Sequence, residues 1–143
     1  MIRHNFREEK SSLGNVLRPV AEVILEKDDL RVGMPMYIDS GADISMIPLH
    51  FGEALGFKRE DDDDIKEIKG ISGAGLPYIL KQVSLIINGK TLKINIAWAL
   101  VENVPILMGR KDIFNQFRII FDVRNGFIDF EEWQRYDRCV LTG

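Results

Sequence analysis

An Asn-Gly dipeptide at residues 88–89 separates two apolar segments, and it predicts a β-hairpin in the middle of the chain. Asn-Gly is typical of a type I′ turn, because both central residues of that turn need a positive φ angle. After the turn, apolar and polar side chains alternate: Leu92, Ile94, Ile96 and Trp98 would face one side, and Lys93, Asn95 and Ala97 the other. This alternation is the period of a strand with one buried face.

Short segments of the same kind fill most of the remaining sequence. Strands are predicted at 20–26, 34–38 and 78–87, and a second hairpin with an Asn-Gly turn is predicted within 118–130. Helices are expected only at 48–56, where Gly56 would end the helix, and for a turn or two within 111–117. The prediction is an all-β fold, a small closed barrel or sandwich with one or two short helices. The domain would span 18–131, between an N-terminal arm at 1–17 and a C-terminal tail at 132–143.

Composition excludes several classes of partner. The 143 residues carry a formal net charge of −3, so no basic surface for nucleic acid is expected. One cysteine, Cys139, cannot form a disulfide within the chain. No apolar run approaches membrane-spanning length, and the first ten residues lack the apolar stretch of a signal peptide. We therefore expect a cytoplasmic protein with no membrane partner.

The sequence also offers little for metal or nucleotide chemistry. Its two histidines, His4 and His50, lie far apart and have no neighbouring cysteines, which argues against zinc. The acidic run at 60–64 is predicted to be a solvated loop, because consecutive residues do not converge on one ion. The glycines at 70–75 lie in a predicted hairpin rather than between a strand and a helix, which argues against a phosphate loop. No cofactor and no metal are predicted.

The most informative motif is Asp39-Ser40-Gly41, which directly follows the apolar segment 36–38. Taken alone, Asp-Ser-Gly is common turn chemistry. Two later segments favour a functional interpretation of the motif over a simple turn. One is a glycine-punctuated stretch at 68–73. The other is an apolar run at 105–108 that continues into Gly109-Arg110 and is followed by a predicted helical turn. With these three segments in this order, residues 19–130 resemble the retropepsin family of aspartic proteases, which comprises the retroviral proteases and their stand-alone cellular and prokaryotic relatives.

The resemblance implies a role for each matching residue. Asp39 would be the catalytic acid, the Ser40 hydroxyl would hydrogen-bond across a two-fold axis, and Gly41 would let the substrate backbone approach. Ala42 and Asp43 would line the floor of the cleft, and Arg110, which follows Gly109, would pair with Asp43. Leu107 would form a wall of a side-chain pocket. The tip of a mobile flap hairpin would be formed by four residues: Gly70, Ile71, Ser72 and Gly73.

One chain supplies only half of such a site. Peptide hydrolysis can use two carboxylates that share one proton, one acting as base toward water and the other as acid toward the carbonyl oxygen. No second Asp-Ser/Thr-Gly occurs in the sequence, so the resemblance implies a homodimer that cleaves extended polypeptides. Two alternatives remain: a non-catalytic retropepsin-like module for dimerisation or peptide binding, and an unrelated β-barrel in which Asp-Ser-Gly is only a turn.

Overall fold

Twelve strands and one α-helix make up the part of the chain that the computed structural model describes, residues 2–69 and 75–133. The strands are β1 (Ile2–Asn5), β2 (Arg7–Ser11), β3 (Gly14–Arg18), β4 (Val20–Lys27), β5 (Leu30–Ile38), β6 (Ser45–Ile47), β7 (Lys66–Lys69), β8 (Gly75–Ile87), β9 (Lys90–Ala99), β10 (Leu107–Met108), β11 (Phe117–Asp122) and β12 (Phe127–Glu132). Helix α1 spans Leu49–Ala54, and a 3₁₀ turn spans Phe114–Gln116.

Six of these strands form a closed barrel. Their order is β4-β5-β10-β6-β9-β8, and the ring closes because β4 also pairs with β8. Strand β8 is 13 residues long, so its first residues pair with β7 while its last residues pair with β4. Strand β7 therefore extends the sheet beyond the barrel. The predicted all-β fold with short helices is confirmed.

The barrel core contains the apolar residues that the alternation predicted. Leu92, Ile94, Ile96 and Trp98 are each at most 7% exposed, and complete burial of such a side chain stabilises the fold by about 1.5–3 kcal/mol. The opposite face of β9 was predicted to hold Lys93, Asn95 and Ala97. Near the end of the strand this face is buried as well, because Ala97 and Ala99 pack with Met46 in a second, smaller cluster.

The two Asn-Gly pairs form different turns. Asn88 and Gly89 both have positive φ angles, 54° and 82°, as the predicted two-residue turn requires. At the second pair only Gly126 has a positive φ, 75°, and the loop between β11 and β12 has four residues. The Asp122 carboxylate accepts hydrogen bonds from the backbone N–H and the Nδ2 of Asn125. This side-chain capping favours a longer turn than the dipeptide alone indicates.

Helix α1 is attached to β9 through Trp98. The indole Nε1 donates to the Leu49 carbonyl oxygen at 3.1 Å. Gly52 lies against the same ring, where a Cβ atom would come within 2.1 Å of Nε1. The helix ends at Ala54, and Gly56, two residues later, has the positive φ, 83°, that suits the predicted C-terminal cap.

Residues 2–17 form strands in the structure, whereas the sequence suggested a loosely attached arm. Strand β1 pairs with β12 in a three-stranded sheet, and β2 and β3 form a hairpin. The Arg3 guanidinium donates two hydrogen bonds, of 2.8 and 3.0 Å, to the buried carboxylate of Asp129. Polar residues dominate this segment, which is why the alternation was not recognised. The domain boundaries at 18 and 131 stay a prediction, and Cys139 lies outside the described residues.

Within residues 2–69 and 75–133, no helix is long and apolar enough to cross a membrane.

Candidate active site

Asp39 lies at the end of β5, where the chain leaves the barrel. Its backbone N–H donates to the Met108 carbonyl oxygen at 3.0 Å. Its carboxylate Oδ1 accepts a 2.9 Å hydrogen bond from the Gly41 backbone N–H, while Oδ2 has no hydrogen-bond partner in the described part of the chain. The side chain is half-buried. One carboxylate oxygen is thus oriented by the turn, and the other is available to a water molecule or a substrate.

Strand β10 determines where this turn lies. It is inserted between β5, to which it is parallel, and β6, to which it is antiparallel, with Leu107 opposite both Tyr37 and Met46. Residues 39–44 therefore connect the two strands that flank β10. The backbone N–H groups of Arg110 and Lys111 donate to the carbonyl oxygens of Ala42 and Asp43, both at 2.9 Å. Together with the bond from Asp39 to Met108, these main-chain bonds attach both ends of the Asp39 loop to residues 108–111.

Gly109 allows the closest approach in this region. A Cβ atom on Gly109 would lie 2.4 Å from the carbonyl carbon of Ile44 and 2.9 Å from its nitrogen, so any side chain there would collide with main chain. The Gly109 N–H also donates at 3.0 Å to the Oγ of Ser45, which is completely buried. Ser45 was missed in the sequence analysis. A single hydroxyl between Ile44 and Met46 was the signal that could have identified it.

The contact expected between Arg110 and Asp43 is present within one chain. Nη2 of Arg110 donates to Oδ1 of Asp43. Both side chains are exposed, 53% for Arg110 and 88% for Asp43. An exposed ion pair contributes about 1 kcal/mol or less to the free energy of unfolding. Breaking a buried pair costs about 3–5 kcal/mol, and that larger value does not apply to this pair in the single chain. Ser40 is exposed, and its hydroxyl has no hydrogen-bond partner among the residues described.

A cleft of about 410 Å³ opens beside Asp39. It is lined by Tyr37 and Ile38 of β5, by Asp39, and by Pro105 and Leu107. Leu107 and Asp39 thus line the same cavity, and the role of Leu107 as a wall of a side-chain pocket for substrate stays a prediction.

The N-terminal hairpin and the residue after it also line this cleft, to which they contribute Glu9, Arg18 and Pro19. The Tyr37 hydroxyl donates a 2.5 Å hydrogen bond to Oε2 of Glu9. This hydrogen bond, with smaller effects of burial and of the Glu9 charge, raises the pKa of Tyr37, while Arg7 acts in the opposite direction. Sequence reasoning missed Glu9 because it placed residues 1–17 in an arm outside the domain.

An apolar strip runs from Leu107 across the outer face of the sheet. Its buried centre is Met46, Ala97 and Ala99, and around it pack six half-buried side chains: Ile44, Ile68, Leu76, Tyr78, Val104 and Leu107. Ile68, Leu76 and Tyr78 belong to the β7–β8 hairpin, so this apolar strip joins the cleft to the stem of the predicted flap.

The stem of that hairpin is an antiparallel ladder from Lys66–Tyr78 to Lys69–Gly75. Strand β7 lies at the edge of the sheet and is mostly exposed, rather than packed as a central core strand. The predicted flap tip residues Gly70, Ile71, Ser72 and Gly73 lie outside the described residues, and their role stays a prediction.

The acidic run at 60–64 is largely exposed and partly organised by a 2.6 Å hydrogen bond from the Glu60 N–H to Asp63. Among residues 2–69 and 75–133, no group of three or more histidine, cysteine, aspartate or glutamate side chains is arranged to hold a metal ion.

Comparison with known proteins gives a fold and no sequence family. No protein-family model matches the chain, and no curated protein matches it. Among solved structures, a retropepsin-like aspartic protease from Rickettsia conorii is similar with a TM-score of 0.64 at 15% identity, over 90% of this chain and 98% of that one. EIAV protease in complex with the inhibitor HBY-793 is similar with a TM-score of 0.50 at 20% identity, over 65% of this chain and 82% of that one. The barrel, the inserted strand β10 and the Asp39 turn therefore belong to a chain with the retropepsin-like fold.

Proposed function

We propose that this chain is one half of a homodimeric aspartic endopeptidase that hydrolyses extended polypeptides. The observation that carries the proposal is the placement of Asp39. Asp39 lines a cleft, and its carboxylate is oriented by the Gly41 N–H and keeps one oxygen unpartnered in the described part of the chain. The fold is shared with the solved structures of two proteases.

The chemistry needs two such carboxylates. One, ionised, takes a proton from a water molecule, whose oxygen then attacks the peptide carbonyl carbon. The other, protonated, gives its proton to the carbonyl oxygen. The tetrahedral intermediate collapses when the first carboxyl group gives the proton that it took from water to the amide nitrogen and the C–N bond breaks. The second carboxylate takes a proton from a hydroxyl of the intermediate as the new carbonyl forms, which restores the singly protonated pair. Two nearby carboxylates favour this singly protonated state, because ionising both would place like charges side by side, an effect well known from the aspartic proteases. Since the sequence holds one Asp-Ser-Gly, the second carboxylate would be Asp39 of another copy.

The surroundings of Asp39 suit an extended peptide. The apolar strip leads from Leu107 to the stem of the β7–β8 hairpin, and it would contact substrate side chains along its length. Gly41 is exposed and leaves room for substrate backbone next to the carboxylate. The exposed Ser40 hydroxyl would be free to hydrogen-bond to the second copy. No metal or cofactor takes part in this mechanism.

The decisive experiment is digestion of a peptide library by the wild-type protein and by Asp39→Asn. The amide keeps the size of the side chain but removes its titratable proton, so cleavage should fall to background while the folded state survives. Asp61→Asn, a matched change in the exposed acidic run, should cleave like wild type. Cleavage should be greatest on the acidic side of neutrality, where the pair shares one proton.

Other outcomes separate the alternatives. Full activity of Asp39→Asn, or loss of activity on adding a chelator, would contradict an aspartic mechanism. A dimer that binds peptides without any Asp39-dependent cleavage would favour the non-catalytic module. Sedimentation showing only monomer under cleaving conditions would refute the shared site.

A further inference from the structure

The cleft beside Asp39 contains a second carboxylate that the proposed mechanism does not use. Glu9 reaches the cleft from β2, and its Oε2 is held by the Tyr37 hydroxyl at 2.5 Å. Its other oxygen, Oε1, has no hydrogen-bond partner among the described residues, and none of their cationic groups lies within ion-pair distance of Glu9. Glu9 is half-buried. A carboxylate held in this way offers a fixed acceptor to whatever enters the cleft.

The rest of the cleft indicates what that occupant would be. Pro105 and Leu107 line the cleft with apolar surface, and Asp39 lines the same cleft. An occupant that fits needs an apolar stem to contact these walls and a cationic head to reach Glu9. Lysine and arginine side chains have this construction, and a charge-assisted hydrogen bond to a carboxylate is about twice as strong as a neutral one.

We propose that Glu9, positioned by Tyr37, selects substrates with a lysine or arginine next to the scissile bond. The inference rests on the proposed protease function and names the substrate class for that site. Because Asp39 and Glu9 line the same cleft, the selected side chain belongs to a residue flanking the bond that Asp39 attacks. In a symmetric dimer the cleft occurs twice, so the preference applies on both sides of the bond.

Arg18 is the cation lining this cleft that could oppose the preference. It lines the same cleft and projects from the same face of the hairpin as Glu9, since Arg7 lies opposite Arg18 and Glu9 lies opposite Val16. Arg18 is exposed, however, and Glu9 is half-buried and held by a hydrogen bond. A mobile, solvated charge is screened by salt and loses side-chain entropy when it binds. The fixed carboxylate therefore determines the preference.

The test uses three peptides that differ only at one residue flanking a bond that the library digest shows to be cleaved. That residue is lysine, norleucine or glutamate, and each flanking position is examined in turn. Wild type should cleave the lysine peptide with a kcat/KM about 10- to 100-fold above the norleucine peptide, the range expected for one hydrogen bond to a charged group. The readout is this ratio, because it cancels differences in the fraction of active protein.

Three variants assign the effect. Glu9→Gln should bring the lysine-to-norleucine ratio close to one. Tyr37→Phe keeps the ring and the main-chain bond to Ile106 but releases Glu9, so it should lower the ratio by a smaller factor, mainly through KM. A purely structural role of Tyr37 would lower both rates and leave the ratio unchanged. Arg18→Gln, the control, should not lower the ratio.

Several results would overturn the inference. These are a wild-type ratio near one, a ratio that survives Glu9→Gln, or fastest cleavage of the glutamate peptide, which would assign the preference to Arg18. If Asp39-dependent cleavage occurs without a preference for lysine or arginine, only this inference fails. If no cleavage depends on Asp39, the proposed function fails and this inference fails with it.

Discussion

Replacing Gly109 by alanine tests whether the close approach of β10 to the Asp39 loop stabilises the fold. The new Cβ would lie 2.4, 2.5 and 2.9 Å from the carbonyl carbon, oxygen and nitrogen of Ile44. Ordinary carbon contacts are about 3.5–4.0 Å, so one main-chain segment would have to move by about 1 Å. That movement is resisted by the bonds from Arg110 and Lys111 to the loop.

The size of the effect follows from these contacts. Overpacking costs about 1–3 kcal/mol. The upper value is appropriate because the new Cβ would meet main-chain atoms of Ile44, which cannot rotate away as a side chain can. Alanine also lowers the conformational entropy of the unfolded chain, which stabilises the folded state by about 0.4–1 kcal/mol. We therefore expect a net loss of about 2 kcal/mol in the free energy of unfolding, which lowers the urea midpoint by about 1 M at a typical m-value. The protein concentration must be held constant, since dimerisation would contribute to stability.

Gly33→Ala is the matched control. Gly33 lies in β5, and a Cβ there would meet only the Val23 carbonyl oxygen, at 3.9 Å. Its φ is not positive, so alanine should leave stability unchanged or raise it by up to about 1 kcal/mol. If the free energies of unfolding of the two variants agree within about 0.5 kcal/mol, the close contact at Gly109 does not stabilise the fold.

Two further predictions concern charges. Hydrogen bonds from Arg3 hold the pKa of Asp129 below its usual 3.8. The Asp129 carboxylate therefore stabilises the folded state fully at any pH above its pKa in the unfolded chain. This contribution is lost as the pH falls through the pKa of Asp129 in the folded state. The urea midpoint should therefore drop as the pH falls from about 5 toward 2, and Asp129→Asn should flatten that part of the curve; an unchanged slope would contradict the assignment. Arg110→Met should change the free energy of unfolding by about 1 kcal/mol or less, because both members of the Arg110–Asp43 pair are exposed; a loss of about 3 kcal/mol would show that the pair is buried in the assembly.

The barrel could be predicted from sequence because its strands carry local signals. The alternation from Leu92 to Trp98 and the Asn88-Gly89 turn each depend on residues close together in the chain. Helix α1 was predictable for the same reason, since Gly56 marks its end. Such patterns report on the burial of one face, which is the main contribution to strand stability in a barrel.

The N-terminal strands were missed because tertiary contacts stabilise them. β1 has only one strongly apolar residue, Ile2, and it depends on pairing with β12 and on the Arg3–Asp129 ion pair. β2 and β3 are largely exposed, and Tyr37 attaches β2 to the barrel through Glu9. Partners 28 and 126 residues away in sequence leave no local pattern. The part of the cleft that Glu9 lines therefore could not be predicted from the sequence.

The motif around Asp39, in contrast, could be recognised in the sequence, but its role could not be decided from the motif alone. Asp-Ser-Gly forms a turn in many proteins, and only Gly109-Arg110, far along the chain, gave it a different meaning. The structure supplies the physical reason for that association. Strand β10 has two residues, too few to persist by itself, and it exists because it completes the gap between β5 and β6.

The same insertion orients Asp39. Without β10 and the residues that follow it, the Asp39 N–H and the carbonyl oxygens of Ala42 and Asp43 would lose their main-chain partners, and unpaired backbone groups in a packed region are costly. The two motifs thus form one structural unit, in which the residue with the proposed chemistry is held by a segment that closes the barrel. A sequence that keeps Asp-Ser-Gly but replaces the glycine equivalent to Gly109 by a larger residue would be expected to retain the turn and lose the site.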